Sequence, residues 1–255
     1  MKIVSISEDI NIEKRIAITP EIAKKYLSSG FDVSIVENYG QHLGFSDNEY
    51  KELGVQISKD EKKIIDEANI IVQMGLLPDE KLSFLKENQN LIGVFNPYEN
   101  KNKIENLSKK KVNVFSLELL PRITRAQSMD ILSSQSNLAG YKAVINASKL
   151  YSKAFPMMMT AAGTIAPAKV MVFGAGVAGL QAIATAKRLG AIVSATDVRP
   201  AAKEQVESLG GKFIMVESDE LNDAETSGGY AKEMSEEFRQ KQAELISQTL
   251  SSQDI

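Results

Sequence analysis

Short apolar runs alternate with amphipathic stretches along the first half of the chain. Lys2 to Ile6, Asp32 to Glu37, Ile70 to Met74, Leu91 to Phe95 and Val112 to Ser116 are compact Val/Ile/Leu-rich runs, the pattern of strands buried on both faces. Between them lie helix signals. Thr19-Pro20-Glu21 places an N-cap residue before a proline at the first helical position, and that helix stops at Gly30. Ser46-Asp47-Asn48-Glu49 is a capping box for a short helix ending near Gly54. Further helices are expected around Asp79 to Lys86 and Asn100 to Lys110. From Arg125 to Tyr151 there is no proline and one glycine, Gly140, and apolar residues recur at helical spacing, which predicts one long helix.

After Pro167 the alternation resumes. Lys169 to Phe173, Ala191 to Thr196 and Lys212 to Val216 read as strands. Val177 to Leu189, Ala201 to Leu209 and Ala231 to Leu250 read as helices. Strands alternating with helices imply parallel sheets. The fold class expected is α/β: two doubly wound, Rossmann-like domains with mostly parallel sheets, joined by a long helix. Residues 1–124 form the first domain, 125–151 the linking helix, and 152–255 the second. Gln253-Asp254-Ile255 looks like the beginning of a further strand, so the second domain is expected to be incomplete at its C-terminus.

Composition narrows the chemistry. The 255 residues contain 30 Lys+Arg and 33 Asp+Glu, a net charge of −3 that offers no footprint for nucleic acid. There is no cysteine and one histidine, His42, so thiolate catalysis, disulfides and multi-histidine metal sites are excluded within the chain. His42 lies in a Gly-rich turn and reads as structural or exposed. Met157-Met158-Met159 reads as core packing at the domain junction rather than a metal site.

One motif carries chemistry. Gly174-Ala175-Gly176-Val177-Ala178-Gly179 is G-x-G-x-x-G, directly after an apolar strand and directly before a helix. The first glycine permits the turn, the second lets the backbone approach a diphosphate, and the third lets the helix pack on the strand. The next strand ends at Asp197, where a carboxylate accepts hydrogen bonds from an adenosine ribose and repels a 2′-phosphate. NAD is therefore expected over NADP. Val198 follows Asp197, and Arg199, two residues past the acid, is the feature that could invert the preference.

A second group opens the long helix. On a helix Gln127, Asp130 and Ser133 fall at i, i+3 and i+6, with Arg122 just ahead. Such a mix of donors and acceptors suits carboxamide recognition, but a solvated helix face fits the spacing too. Tyr230, after Gly228-Gly229, reads either as part of a loop closing over a site or as a packed tyrosine in a surface loop.

At these residues the sequence resembles a known family. Arg15 to Pro20, Gly44 to Asp47, Arg122 to Gly140, Gly174 to Ala182 and Thr226 to Phe238 look like the NAD(H)-binding domain I of proton-translocating NAD(P) transhydrogenase, related to alanine dehydrogenase. The resemblance implies that Arg122, Gln127, Asp130 and Ser133 surround the nicotinamide and that Tyr230 lies on a mobile loop. It implies a homodimer that binds NAD(H) and meets a partner domain holding NADP(H), both tethered to a membrane proton-channel domain on the cytoplasmic side of the inner (plasma) membrane.

The alanine dehydrogenase branch uses a Lys in the segment matching Val72 to Pro78 and a His in that matching Phe95 to Tyr98. Neither segment contains Lys or His here. Reductive amination needs a proton donor or acceptor at the substrate carbon, whereas hydride exchange between two nicotinamides needs only orientation and exclusion of water. A non-catalytic NAD-binding module and an amino-acid dehydrogenase stand as the alternatives.

Overall fold

A computed structural model of the chain describes residues 1–121, 123–216 and 235–255. They divide into two compact units, residues 1–131 and 132–255.

In the first unit the elements run β1 (Lys2–Ser5), α1 (Pro20–Ser28), β2 (Asp32–Val36), α2 (Asp47–Leu53), β3 (Gln56–Ser58), α3 (Glu61–Asp66), β4 (Ile70–Val72), α4 (Asp79–Leu82), β5 (Asn90–Gly93), α5 (Lys101–Lys109) and β6 (Asn113–Ser116). All six strands are parallel, in the order β3-β2-β1-β4-β5-β6. The chain leaves central β1 toward β2 and β3, then crosses back to β4, so the topological switch point lies between β1 and β4. Val4, Ile6, Ile18, Ile35, Ile71 and Leu91 are fully buried at the heart of the core. The caps are as expected: the Thr19 hydroxyl accepts from Ile22 N–H, the Ser46 hydroxyl from Glu49 N–H, and Gly54 ends α2 in the left-handed conformation. Short β3 and α3 have no counterpart among the sequence expectations.

The second unit contains α6 (Ile131–Leu150, entered from the first unit's last residue), β7 (Met158–Thr160), β8 (Gly163–Ile165), β9 (Lys169–Phe173), α7 (Val177–Arg188), β10 (Ile192–Thr196), α8 (Ala202–Ser208), β11 (Lys212–Phe213) and α9 (Glu236–Leu250). A parallel sheet is ordered β11-β10-β9. On the free side of β9, Ile255 N–H donates to the Lys169 carbonyl and the Ile255 carbonyl accepts from Met171 N–H at 2.8 Å, the pattern of parallel pairing. The switch point of this unit therefore lies at the carboxyl end of β9. Small residues let helix and sheet approach closely in its core: Ala175, Ala186 and Ala195 are fully buried beside Ile183 and Val206.

Two expectations are corrected. The helix expected from residue 125 begins at Ile131. Residues Thr124–Met129 form a 3-10 helix and Asp130 is extended (φ −75°, ψ 90°), because an aspartate directly before a helix favours the extended N-cap conformation over a helical one. Met157 to Met159 are not core: they are 56%, 50% and 73% exposed on the β7–β8 hairpin, whose two strands pair only with each other among the described residues. A two-residue reversal after Thr160 lets this run form a ribbon of its own.

Candidate functional site

The turn between β9 and α7 gives each glycine of the motif a different physical reason. Gly174 has φ +89°, a conformation that side chains with a Cβ rarely adopt. At Gly179 a Cβ would overlap the Gly174 carbonyl oxygen, so the first turn of α7 packs directly on the turn before it. Gly176 is neither strained nor crowded: φ is −76° and a Cβ there would meet nothing within 4 Å among the described residues. Among the described residues of this unit nothing demands glycine at 176, which is what a place reserved for a close-lying ligand looks like. Gly176 also supplies no side-chain cap to α7, and the first turn, Val177-Ala178-Gly179, holds no acidic residue. The helix N-terminus therefore presents uncapped backbone N–H groups, the environment that binds phosphate oxygens.

Helix α6 braces this N-terminus. A Cβ at Gly140 would overlap the Ala178 carbonyl, so the two helices touch backbone to backbone there, and Asn137 Nδ2 donates to Gln181 Oε1 at 3.1 Å nearby.

Asp197 follows β10 with a side chain 7% exposed. Its Oδ2 accepts from Ala175 N–H at 2.7 Å, and its Oδ1 accepts from Arg199 N–H (2.8 Å) and Arg199 Nε (2.9 Å). Arg199 Nη2 reaches Oδ2 at 3.2 Å and the Ala175 carbonyl at 3.4 Å. Burial alone would raise the Asp197 carboxyl, but the Arg199 guanidinium and the two backbone N–H donors outweigh it and hold the group below the usual range, so it is a carboxylate. One acid thus ties the glycine turn to the end of β10 and pairs with Arg199 beside it. Val198 between them is 67% exposed, an apolar surface at the edge of the turn. Gln242 on α9 fixes the residue before the acid: its Nε2 donates to Thr196 Oγ1 (3.1 Å) and the Ile214 carbonyl, and its Oε1 accepts from Val216 N–H.

Gln127, Asp130 and Ser133 do not share one helix face. Gln127 lies in the 3-10 helix, Asp130 in the extended link, and Ser133 in the first turn of α6. Arg122 and Tyr230 lie outside the described residues.

Two acids that sequence reasoning passed over hold the carboxyl edge of the first unit's sheet. Glu8, after β1, accepts through Oε1 from Met74 N–H (2.6 Å), Gly75 N–H (3.3 Å) and Gln73 Nε2 (3.1 Å), across the switch point. Glu118, after β6, accepts through Oε1 from Phe95 N–H (2.9 Å) and Asn96 N–H (2.6 Å) beyond β5. Among the described residues its Oε2 is buried without a hydrogen-bond partner, as is Ser116 Oγ. A lone acid after a strand carries no sequence signature. Arg15 is engaged by Glu13, through Nε at 2.9 Å and Nη2 at 2.5 Å. His42 is exposed and its Nε2 bonds the Lys14 carbonyl.

A parallel sheet, a helix packed on a glycine turn and an acid at the end of the next strand define an α/β protein of the dinucleotide-binding class. Family comparison makes this specific. Residues 5–139 match the alanine dehydrogenase/PNT N-terminal domain and residues 143–255 the alanine dehydrogenase/PNT C-terminal domain. The first of the chains that make up the NAD(P) transhydrogenase alpha subunit of Rhodospirillum rubrum is 50% identical over 100% of this chain and 68% of its own length. The crystal structure of transhydrogenase from Sinorhizobium meliloti superposes with a TM-score of 0.86 at 45% identity, covering 99% of this chain and 68% of that one. An L-alanine dehydrogenase structure shares the fold, with a TM-score of 0.74 at 21% identity over 86% of this chain and 62% of that one. The chain belongs to the alanine dehydrogenase/PNT family, on the branch of the NAD(P) transhydrogenase alpha subunits, and spans about two thirds of the length of those relatives.

Proposed function

We propose that this chain is the NAD(H)-binding component of a proton-translocating transhydrogenase, passing a hydride from NADH to NADP+ held on a partner domain. The observation that carries the reading is Gly176, a glycine that neither strain nor crowding explains, at the uncapped start of α7 beside a carboxylate. The diphosphate sits on the N–H groups of residues 176–179, and Asp197, giving up one of its two Arg199 side-chain bonds, accepts an adenosine ribose hydroxyl. The Asp197 charge, and an Arg199 already matched to it, disfavour a 2′-phosphate and select NAD(H). Gln127, Asp130, Ser133 and Arg122 orient the nicotinamide carboxamide, and Tyr230 closes over it.

When bound, NADH supplies the hydride from C4 of its dihydronicotinamide, leaving NAD+ and giving NADPH on the partner. The chain's task is to orient one ring and exclude water, which needs neither a thiol nor a second histidine. The exposed Met157 to Met159 and Ile165 of the β7–β8 hairpin suit burial against a second copy in a homodimer. No described helix is long and apolar enough to cross a membrane. In this reading the chain lies on the cytoplasmic side of the membrane and is held there by its partner subunits.

The test is to add the chain to a transhydrogenase NADP(H)-binding domain and measure hydride exchange from NADH to an NADP+ analogue. Exchange that requires both proteins supports the reading. NADH binding without exchange favours a binding module, and NAD+ reduction by alanine favours an amino-acid dehydrogenase.

A further inference from the structure

The segment that carries Gln127 and Asp130 leaves β6, turns through the short 3-10 helix Leu117–Leu119, and reaches the 3-10 helix Thr124–Met129. Neither piece is long enough to hold itself, since short 3-10 turns have poor hydrogen-bond geometry. What holds the start of the segment is Glu118, whose Oε1 receives two successive backbone N–H groups, from Phe95 and from Asn96. Two successive N–H groups on one oxygen make a small anion-binding concavity at the exit of β5, and Asn96, with φ +46°, turns the chain away just after it. The exit turn is itself rigid: Phe95 is 1% exposed, and Asn100 Nδ2 donates to the Phe95 carbonyl at 2.9 Å. One carboxylate oxygen therefore fastens the segment to a turn whose Phe95 is itself buried and hydrogen-bonded.

We infer that Glu118 is a positioning residue for hydride transfer, fixing through the Phe95–Asn96 turn the segment on which Gln127 and Asp130 meet the nicotinamide. The adenosine and diphosphate end is assigned to the turn of residues 174–179 and Asp197, and Glu118 bonds neither. Its loss should therefore cost rate and leave affinity largely intact. Among the described residues only Oε1 is engaged, while Oε2 is buried without a partner. The anchor thus requires an acceptor at that point and no charge, and glutamine supplies the same carbonyl oxygen.

The inference rests on the transhydrogenase reading, and the experiment separates the two. NADH affinity and hydride exchange with an NADP(H)-binding partner domain are measured for the wild type, Glu118→Ala and Glu118→Gln, with thermal unfolding to report the fold. If the wild type shows no exchange, the functional reading fails. If it does exchange, Glu118→Ala should slow exchange by about tenfold or more through loss of alignment, with NADH affinity within about twofold of wild type. Glu118→Gln should recover most of the rate. Wild-type exchange in Glu118→Ala overturns the inference, as does equal loss of affinity and rate. A Glu118→Gln variant that folds but is as slow as Glu118→Ala also overturns it, because the charge rather than the anchor would then matter. Should Glu118→Ala fail to fold, Glu118→Gln decides alone: exchange near the wild-type rate supports the anchor and slow exchange overturns it.

Discussion

Replacing Gly176 with alanine separates ligand space from fold requirement. The backbone at 176 has φ −76°, which alanine adopts without strain, and the added Cβ meets no atom of the described residues within 4 Å. Reduced freedom in the unfolded chain favours alanine by about 0.4–1 kcal/mol. Glycine's preference over alanine at a helix N-cap opposes this by a similar amount, roughly 0.5–1 kcal/mol. The two nearly cancel, so Tm should move by no more than about 3 °C. Binding should respond very differently. A methyl group between the α7 N–H groups and the diphosphate removes at least one charge-assisted hydrogen bond, worth about 1.5–3 kcal/mol. NADH affinity should fall between roughly tenfold and a hundredfold. The assay is NADH fluorescence titration alongside thermal unfolding, with Gly179→Ala as a control that should lose both, because its Cβ overlaps the Gly174 carbonyl. Undiminished NADH affinity in Gly176→Ala would refute the placement of the diphosphate. A large drop in Tm would show that the glycine serves the fold instead.

Other outcomes follow from the same geometry. Asp197→Asn removes the charge that engages Arg199 and should lower NADH affinity by about tenfold while narrowing its margin over NADPH, read by parallel titrations. An unchanged ratio would mean that Asp197 does not set cofactor choice. Tyr39→Phe strands the N–H groups of Ala17 and Ile18, bonded to the buried phenol oxygen at 3.0 and 3.1 Å, and leaves the Ser5 hydroxyl with Gln73 Oε1 alone; it should cost about 1–3 kcal/mol in urea denaturation with NADH binding retained. Burial raises the Glu8 carboxyl above its ordinary 4.5, aided by Glu13 and opposed by the Met74 and Gly75 N–H groups and Lys81, with Arg15 also facing it. The folded state therefore binds this proton more tightly than the unfolded one. The stability it contributes is present below about pH 4.5 and lost as pH rises through the folded value. Glu8→Gln removes that loss, so its stability relative to wild type should increase from about pH 4 to pH 7, and a constant difference would contradict the assignment.

Much of this is legible in the residues because the controlling interactions are local. β9, the start of α7 and the acid after β10 sit where the glycine motif and its spacing place them, and the caps at Thr19 and Ser46 behave as short-range rules require. The start of the long helix is not legible in the same way, because apolar spacing cannot separate a 3-10 turn from an α-helix, and Asp130 favours the extended state. The methionine run misleads because hydrophobicity says that a surface is apolar, not what covers it. Glu8 and Glu118 are invisible for a different reason. Their partners lie 66 and 23 residues away, and only the strand order brings those turns together.

The pairing of β9 with Asp254 and Ile255 has a consequence for how the protein is made. On one side β9 meets β10 within a few tens of residues, and on the other it bonds a segment 85 residues further along. Closing the longer loop costs about 1 kcal/mol more entropy than closing the shorter one. During synthesis the glycine turn and its first neighbour strand can assemble while the opposite edge of β9 still exposes the Lys169 and Met171 amides. For the several seconds that a ribosome needs to add those residues, at roughly 5–20 per second, the strand beside the nucleotide turn is an open edge that must be shielded from other chains.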